Sequence, residues 1–165
     1  MIVDPRLHIA LVHPEIGPNA GSVGRLCLAI GARLHLVHPL GFQTDEKAVR
    51  RAGLDYWSEV DVVEHPDLGA FWSWLGDRRF HLYSSGGGRA YTAAPYARGD
   101  VLIFGSESVG LPRELVGRHG AYRIPMPGPV RSINLANAVS VVAYAALQRV
   151  EPFLFEDPAC TRPPR

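Results

Sequence analysis

Cysteine is scarce in this chain: there are two in 165 residues, Cys27 and Cys160, far apart and without metal-ligand spacing. A disulfide framework or a zinc site is therefore a poor reading. Long apolar runs are missing as well. No stretch approaches the roughly eighteen apolar residues that a membrane span requires, so none is expected. The first residues, Met1-Ile2-Val3-Asp4-Pro5-Arg6, carry an acid and a proline where a signal peptide needs a basic patch and an apolar run. A mature, cytoplasmic chain is the expectation. Excess charge is absent too. The formal net charge of +1 falls short of the basic domain that usually marks nucleic-acid contact. Any such contact would come from local clusters: Lys47 with Arg50-Arg51, Arg78-Arg79, and Arg131, each of which also reads as a solvated surface face. There is no GxGxxG, no Walker lysine, no HExxH and no Ser-His-Asp spacing. The seven histidines are scattered, and such residues pack more often than they catalyse.

What is present is ordinary for a globular protein, with 47% hydrophobic and 20% charged residues. The length suits one domain, expected over residues 1–151, with a proline-rich tail over 152–165. Short apolar runs predict strands at 7–12, 34–37, 60–63, 80–84, 101–104 and 122–126. Helical patterns lie between them at 22–30, with Gly31 as its stop, at 44–52 behind a Thr44 cap, at 68–75, and at 135–150, which Pro152 ends. Strands alternating with helices predict an α/β fold, a mostly parallel sheet with helices on both faces. Ligands then bind beyond the carboxyl ends of the strands. The loops at 13–25, 83–88, 105–111 and 124–134 all follow strands and are rich in Gly, Pro, Asn and Ser. They are expected to form one site, although Gly and Pro also serve as plain turn punctuation.

Three segments carry candidate chemistry. In Asn19-Ala20-Gly21-Ser22-Val23-Gly24-Arg25, Ser22 is placed to cap a helix and Arg25 falls about one turn inside it. Arg25 reads either as a phosphate grip at the mouth of the sheet or as an exposed residue on an amphipathic helix. In Ile103-Phe104-Gly105-Ser106-Glu107-Ser108-Val109-Gly110-Leu111-Pro112, Gly105 permits close approach of a ligand to the backbone. Glu107 has three open roles there: capping a turn, orienting an arginine, or touching substrate. A simple strand–turn–helix corner explains both glycines equally well. In Ile124-Pro125-Met126-Pro127-Gly128-Pro129-Val130-Arg131-Ser132-Ile133-Asn134, a stiff loop brings Ser132 and Asn134 to a helix N-terminus. Free backbone groups at such an end bind polar ligands, or Ser132 is simply the helix cap.

Taken together, these segments resemble the motifs of the SPOUT (trefoil-knotted) RNA methyltransferases, closest to the TrmL-like branch that acts on cytidine or uridine ribose at the tRNA wobble nucleotide. The resemblance rests on His-Pro-Glu-Ile-Gly-Pro-Asn-Ala-Gly-Ser-Val-Gly-Arg (13–25), Arg-Arg-Ala-Gly-Leu-Asp-Tyr-Trp (50–57), Phe-Gly-Ser-Glu-Ser-Val-Gly-Leu-Pro (104–112), and Ile-Pro-Met with Arg-Ser-Ile-Asn-Leu-Ala-Asn-Ala-Val-Ser-Val (124–141). It spans residues 7–150 in order. It implies a C-terminal trefoil knot, which physical priors alone would not propose. It also implies S-adenosylmethionine as methyl donor, with no metal, held by Tyr83, Gly105, Ile124 and Ser132. Arg25, Glu107 and Asn134 are the implied catalytic set. Since a free arginine is essentially always protonated, Arg25 is expected to orient and relay a proton, while Glu107 and Asn134 bind substrate and order the loops. The implied partners are tRNA and a second copy of the chain, docked through the first and last helices with Tyr144 in the interface. Ser106 stands where the branch usually has proline, and Ser85-Gly86-Gly87-Gly88 lacks the lysine expected beside it. Ribosomal RNA as substrate, a non-catalytic knotted RNA-binding module, and an unrelated Rossmann-like binder are the competing readings. The last lacks its glycine fingerprint.

Overall fold

The computed structural model describes residues 2–44 and 55–156. In chain order the elements are β1 (His8–Val12), α1 (Gly17–Ile30), β2 (Arg33–Val37), β3 (Val62–His65), α2 (Leu68–Leu75), β4 (Phe80–Tyr83) and β5 (Arg89–Ala90). Then come β6 (Val101–Phe104), α3 (Arg113–His119), β7 (Tyr122–Arg123) and α4 (Leu135–Val150). The seven strands make one sheet in the order β3-β2-β1-β6-β4-β7-β5, and every pairing is parallel. Parallel strands covered on both faces need apolar side chains on both, and β1 and β6 are buried at every residue. On one face Ile9, Leu11, Leu34, Leu36, Leu102 and Phe104 meet Val23 and Cys27 of α1 and Val139, Val142 and Ala146 of α4. On the other, Ala10, Val12, Val37, Leu82 and Ile103 meet Phe71 and Leu75 of α2, with Leu115 and Val116 of α3 alongside. This is the α/β architecture expected, with helices on both faces.

Several boundaries differ from the sequence reading, each for a physical reason. Helix α1 begins at Gly17, a turn before Ser22, with Pro18 in its first turn, where the missing N–H costs nothing. Ser22 therefore lies inside the helix and caps nothing; its hydroxyl donates to the Pro18 carbonyl at 3.0 Å. Arg25 consequently sits two turns into α1 rather than one. Asn134, not Ser132, is the cap of α4: its Oδ1 accepts from the backbone N–H groups of Ala136 and Asn137 at 2.9 and 3.3 Å. Strand β3 starts at Val62 rather than residue 60, and β7 is two residues long rather than five. Strand β5 and helix α3 carry no clear apolar period and were not expected. Cys27 is buried in the core and unpaired. Residues 45–52 of the helix expected at 44–52, the Lys47–Arg51 cluster, Cys160 and most of the tail lie outside the described residues.

One local arrangement sets the shape of the site. Tyr122 pairs with Tyr83 on one side and with Arg89 on the other. Strand β4 thus ends where β5 begins, on opposite flanks of β7, and residues 84–88 step across β7 to join them. The N–H of Ser84 donates to the Tyr122 carbonyl at 2.9 Å and that of Gly88 to the Ala121 carbonyl at 3.1 Å. At Gly87 a Cβ would fall 2.6 Å from the carbonyl carbon and oxygen of Tyr122. Only glycine lets one backbone cross another this closely.

Candidate functional site

The carboxyl ends of β1, β6, β4 and β7 open onto one cavity of about 760 Å³. From β1 the chain passes to β2 on one side; from β6 it passes to β7 on the other. Such a switch point leaves a crevice in which open parallel sheets bind their ligands. The cavity volume suits a small organic molecule or a nucleotide.

The floor is aromatic and neutral. Tyr83 is buried and stacks on Phe104 with ring centroids 4.8 Å apart. Its hydroxyl donates to that of Tyr96 at 3.0 Å, which donates to the Tyr91 carbonyl at 2.7 Å. Burial pushes the Tyr83 hydroxyl far above the ordinary phenol range, with Tyr96 adding to the effect. Tyr83 is therefore a neutral packing surface with a tied polar end. Gly105 follows Phe104 at the cavity edge, and a Cβ there would fall 2.0 Å from the Gly110 carbonyl carbon and 2.2 Å from the Leu111 N. The reading that Gly105 admits a ligand to the backbone is thus corrected in part: the close approach is made by the chain's own Gly110–Leu111 segment.

Three loops are locked together by side chains. The Glu107 carboxylate accepts from the backbone N–H groups of Glu15 and Ile16 at 2.8 and 3.3 Å, and from Asn19 Nδ2 at 2.8 Å. Asn19 Oδ1 in turn accepts from Asn134 Nδ2 at 2.9 Å. Ser108 N–H closes the circuit by donating to Glu15 Oε2 at 3.1 Å. Partial burial works against the Glu107 charge, but the Asn19 amide and the backbone donors outweigh it and hold the carboxyl below its usual range. Because Ile16 is the N-cap of α1 and offers no side-chain cap, Glu107 supplies from ninety residues away what the local sequence lacks. The anion also faces the positive end of the helix dipole.

Of the residues named from sequence, Tyr83, Gly105, Glu107, Ile124, Ser132 and Asn134 all line this one cavity. Arg25 does not. It is exposed on α1, with its guanidinium 4.4 Å from the centroid of the Tyr56 ring, whose hydroxyl donates to the Gly21 carbonyl at 3.0 Å. Arg78 lies over the Trp74 ring and Arg79 pairs with Asp100 at 2.7 Å, at the amino end of β4 and away from the cavity. Of the described basic candidates, Arg131 alone reaches it, joined by Arg113 and Arg123. The sequence reading also passed over the side chain of Asn19. A buried asparagine in the first turn of a helix, 7% exposed, was its signal.

Comparison with known proteins agrees with the geometry. The family model described as the SpoU rRNA Methylase family matches residues 6–144. A protein of Escherichia coli (strain K12) named tRNA (cytidine(34)-2′-O)-methyltransferase is 44% identical over 147 residues, covering 87% of this chain and 94% of the relative. A solved structure described as giving structural insights into the 2-OH methylation of C/U34 on tRNA superposes with a TM-score of 0.82 at 46% identity, over 87% of this chain and 95% of that one. An AdoMet-bound rRNA methyltransferase from Sinorhizobium meliloti superposes with a TM-score of 0.76 at 25% identity, over 89% of this chain and 57% of that longer one. Sequence motifs, sheet order and cavity all lead to one assignment: this chain belongs to the SpoU methylase family.

Proposed function

We propose that this chain methylates the ribose 2′-hydroxyl of the wobble nucleotide, cytidine or uridine 34, of tRNA, using S-adenosylmethionine, in the cytoplasm. The observation that carries the reading is the chain of side-chain hydrogen bonds from Glu107 through Asn19 to Asn134. It holds the three motif loops around one cavity in a chain 44% identical to a named tRNA ribose methyltransferase. The cavity fits the donor in size and chemistry: an aromatic floor for a purine, and walls lined by Ser, Asn and Gly residues, with arginines at the mouth. Tyr83 and Phe104 would form the floor, with the backbone at Gly105, the Ile124 side chain and Ser132 along the walls. When bound, S-adenosylmethionine supplies an electrophilic methyl group on a sulfonium, which leaves as a neutral thioether. The protein's own task is then to position the hydroxyl and take its proton. Glu107 and Asn134, already engaged within the protein, act as positioning residues that fix the loops; this supports the loop-ordering half of their expected role over direct substrate contact.

Arg25 remains the residue proposed to orient the hydroxyl and relay its proton, and a second copy of the chain is what would bring it to a cavity. Leu28 on α1 and Val141 and Tyr144 on α4 are exposed apolar residues. Arg25 and Leu28 are three apart, as are Val141 and Tyr144, so each pair shares a helix face. Burying those faces between two copies makes a homodimer through α1 and α4. The close crossing of Ala121 and Tyr122 by residues 84–88 supports the proposed trefoil knot, in which the C-terminal segment would thread a loop. One catalytic domain over residues 1–151 is the matching proposal for the chain's organisation.

The test is incubation with labelled S-adenosylmethionine and total RNA from a strain lacking the protein, followed by nucleoside analysis. Label in 2′-O-methylcytidine or a 2′-O-methyluridine from tRNA position 34 is expected; label confined to bases or to ribosomal RNA overturns the reading. Arg25→Ala should abolish transfer and leave affinity for S-adenosylhomocysteine nearly unchanged. Mixing that variant with an inactive cavity variant such as Asn134→Ala should restore part of the activity, because one site of a mixed dimer is complete. No restoration would remove the between-copy role of Arg25.

A further inference from the structure

The cavity mouth carries an uncompensated positive charge that the loop-locking network does not use. Arg113 in the first turn of α3, Arg123 at the end of β7 and Arg131 in the loop before α4 all line it, and all three are exposed. The sole carboxylate among the lining residues is Glu107, which already accepts from Asn19 and two backbone donors. Among the described residues none of these three arginines forms an ion pair, whereas Arg6, Arg33, Arg79 and Arg98 are matched with Glu151, Asp61, Asp100 and Asp4. Arg123 gives one N–H to the Gly87 carbonyl at 3.4 Å, which leaves most of its five donors unused. The same cavity is also lined by exposed apolar side chains: Ile16 is 46% exposed, Val109 83% and Ile133 37%. Guanidinium forks and bare apolar side chains at one opening suit a nucleotide strand, which offers both phosphates and uncharged rings. In a chain of net charge +1, three unpaired cations at one opening also form a local field that the overall charge conceals.

We propose that Arg113, Arg123 and Arg131 form a cationic rim that binds the phosphodiesters flanking the nucleotide delivered to the cavity. The inference rests on the RNA-methylating reading and adds to it the residues that hold the substrate strand. A donor carboxylate is the other oxyanion within reach. It presents two oxygens, which a single fork satisfies, whereas three forks at an exposed rim call for a polyanion.

The test measures binding of a tRNA transcript without donor, by fluorescence anisotropy over a range of salt concentrations. The proteins are the wild type, Arg113→Gln, Arg123→Gln, Arg131→Gln and the triple variant. All three side chains are exposed, so folding is expected to survive, and thermal melts check this. Each single change should weaken binding about fivefold to tenfold and lower the slope of log affinity against log salt by about one. Affinity for S-adenosylhomocysteine, by calorimetry, should stay unchanged. RNA affinity and slope equal to wild type would overturn the rim. So would a selective loss of S-adenosylhomocysteine affinity with unchanged binding of 5′-methylthioadenosine, which lacks the carboxylate. A wild type that binds tRNA through these arginines yet transfers no methyl group leaves the rim standing and sinks the enzyme. Variants that methylate with wild-type KM do the reverse.

Discussion

Glu107 and Gly87 show how much can depend on one residue that sequence alone cannot weigh. Replacing Glu107 with alanine strands the Glu15 and Ile16 N–H groups and the Asn19 amide without acceptors. The Asn19 amide is the buried one of these donors, and orphaning it costs about 1–3 kcal/mol, so Glu107→Ala should lower the melting temperature clearly in calorimetry. It should also weaken S-adenosylhomocysteine binding about tenfold, because the loops it joins form the walls. Glu107→Gln keeps one acceptor and should fall between. Since the folded carboxyl titrates below its usual value of 4.5, its contribution is complete above that value. The contribution fades as acid protonates the folded form, so at neutral pH it is fully present. Gly87→Ala poses a different problem. Its Cβ would press on main-chain atoms of Tyr122, which cannot swing aside as a side chain would. The expected outcome is a loss of about 3 kcal/mol or more, or failure to fold, read from chemical denaturation. A near-normal midpoint would mean that the crossing at β7 is looser than described.

The elements that could be read from sequence are those whose stability is local. The runs Ile9–Val12 and Val101–Phe104 are apolar and short, so they read as buried strands, and α4 announces itself through its alanines, its valines and Pro152. Helix α1 hid its first turn because Gly17-Pro18-Asn19-Ala20-Gly21 has a loop's composition, and the carboxylate that caps it lies in another motif. Strand β5 and helix α3 were hidden for a related reason: Arg89-Ala90 and Arg-Glu-Leu-Val-Gly-Arg-His acquire their form from neighbours, not from periodicity. The gathering of Gly105, Glu107, Ser132 and Asn134 at one edge followed from the rule that such loops leave the same ends of parallel strands. The position of Arg25 did not, since it depends on where α1 begins. Scattered histidines also proved to be organised. His8 on β1, His35 on β2 and His65 on β3 form a ladder, Nδ1 to Nε2, with both links 2.9 Å, beneath Trp74 of α2. Burial lowers all three, His8 to about 4 and His35 to about 2, with the Arg33 and Arg78 charges acting in the same direction on both. Their unfolded counterparts titrate near 6.5. Stability is therefore complete above that pH and is lost as pH falls through 6.5 toward 4, where the unfolded chain binds more protons. Urea unfolding at pH 7.5, 6 and 5 should show this decline, and His35→Leu should make it shallower. A flat profile would mean that the ladder accepts protons while folded.

At the scale of the whole molecule, two faces of the described residues remain open in the isolated chain: the cavity, and the outer side of the α1–α4 pair. The second face is the one proposed to meet a second copy of the chain. Val141→Asp should convert a dimer to a monomer in sedimentation velocity and abolish methyl transfer together with it. A monomeric wild type would refute the arrangement. The crossing of β7 by residues 84–88 has a further consequence, for the order of manufacture. A ribosome delivers Ser84–Gly88 well before Tyr122, so the arch is made before the strand it spans. Until that strand arrives, the N–H groups of Ser84 and Gly88 have no carbonyl to meet, and β4 and β5 have no common neighbour. Tyr122 and Arg123 are thus the keystone: the sheet's far edge cannot be finished until they are made, and a chain stopped before them is left with a gap where its cavity floor should end.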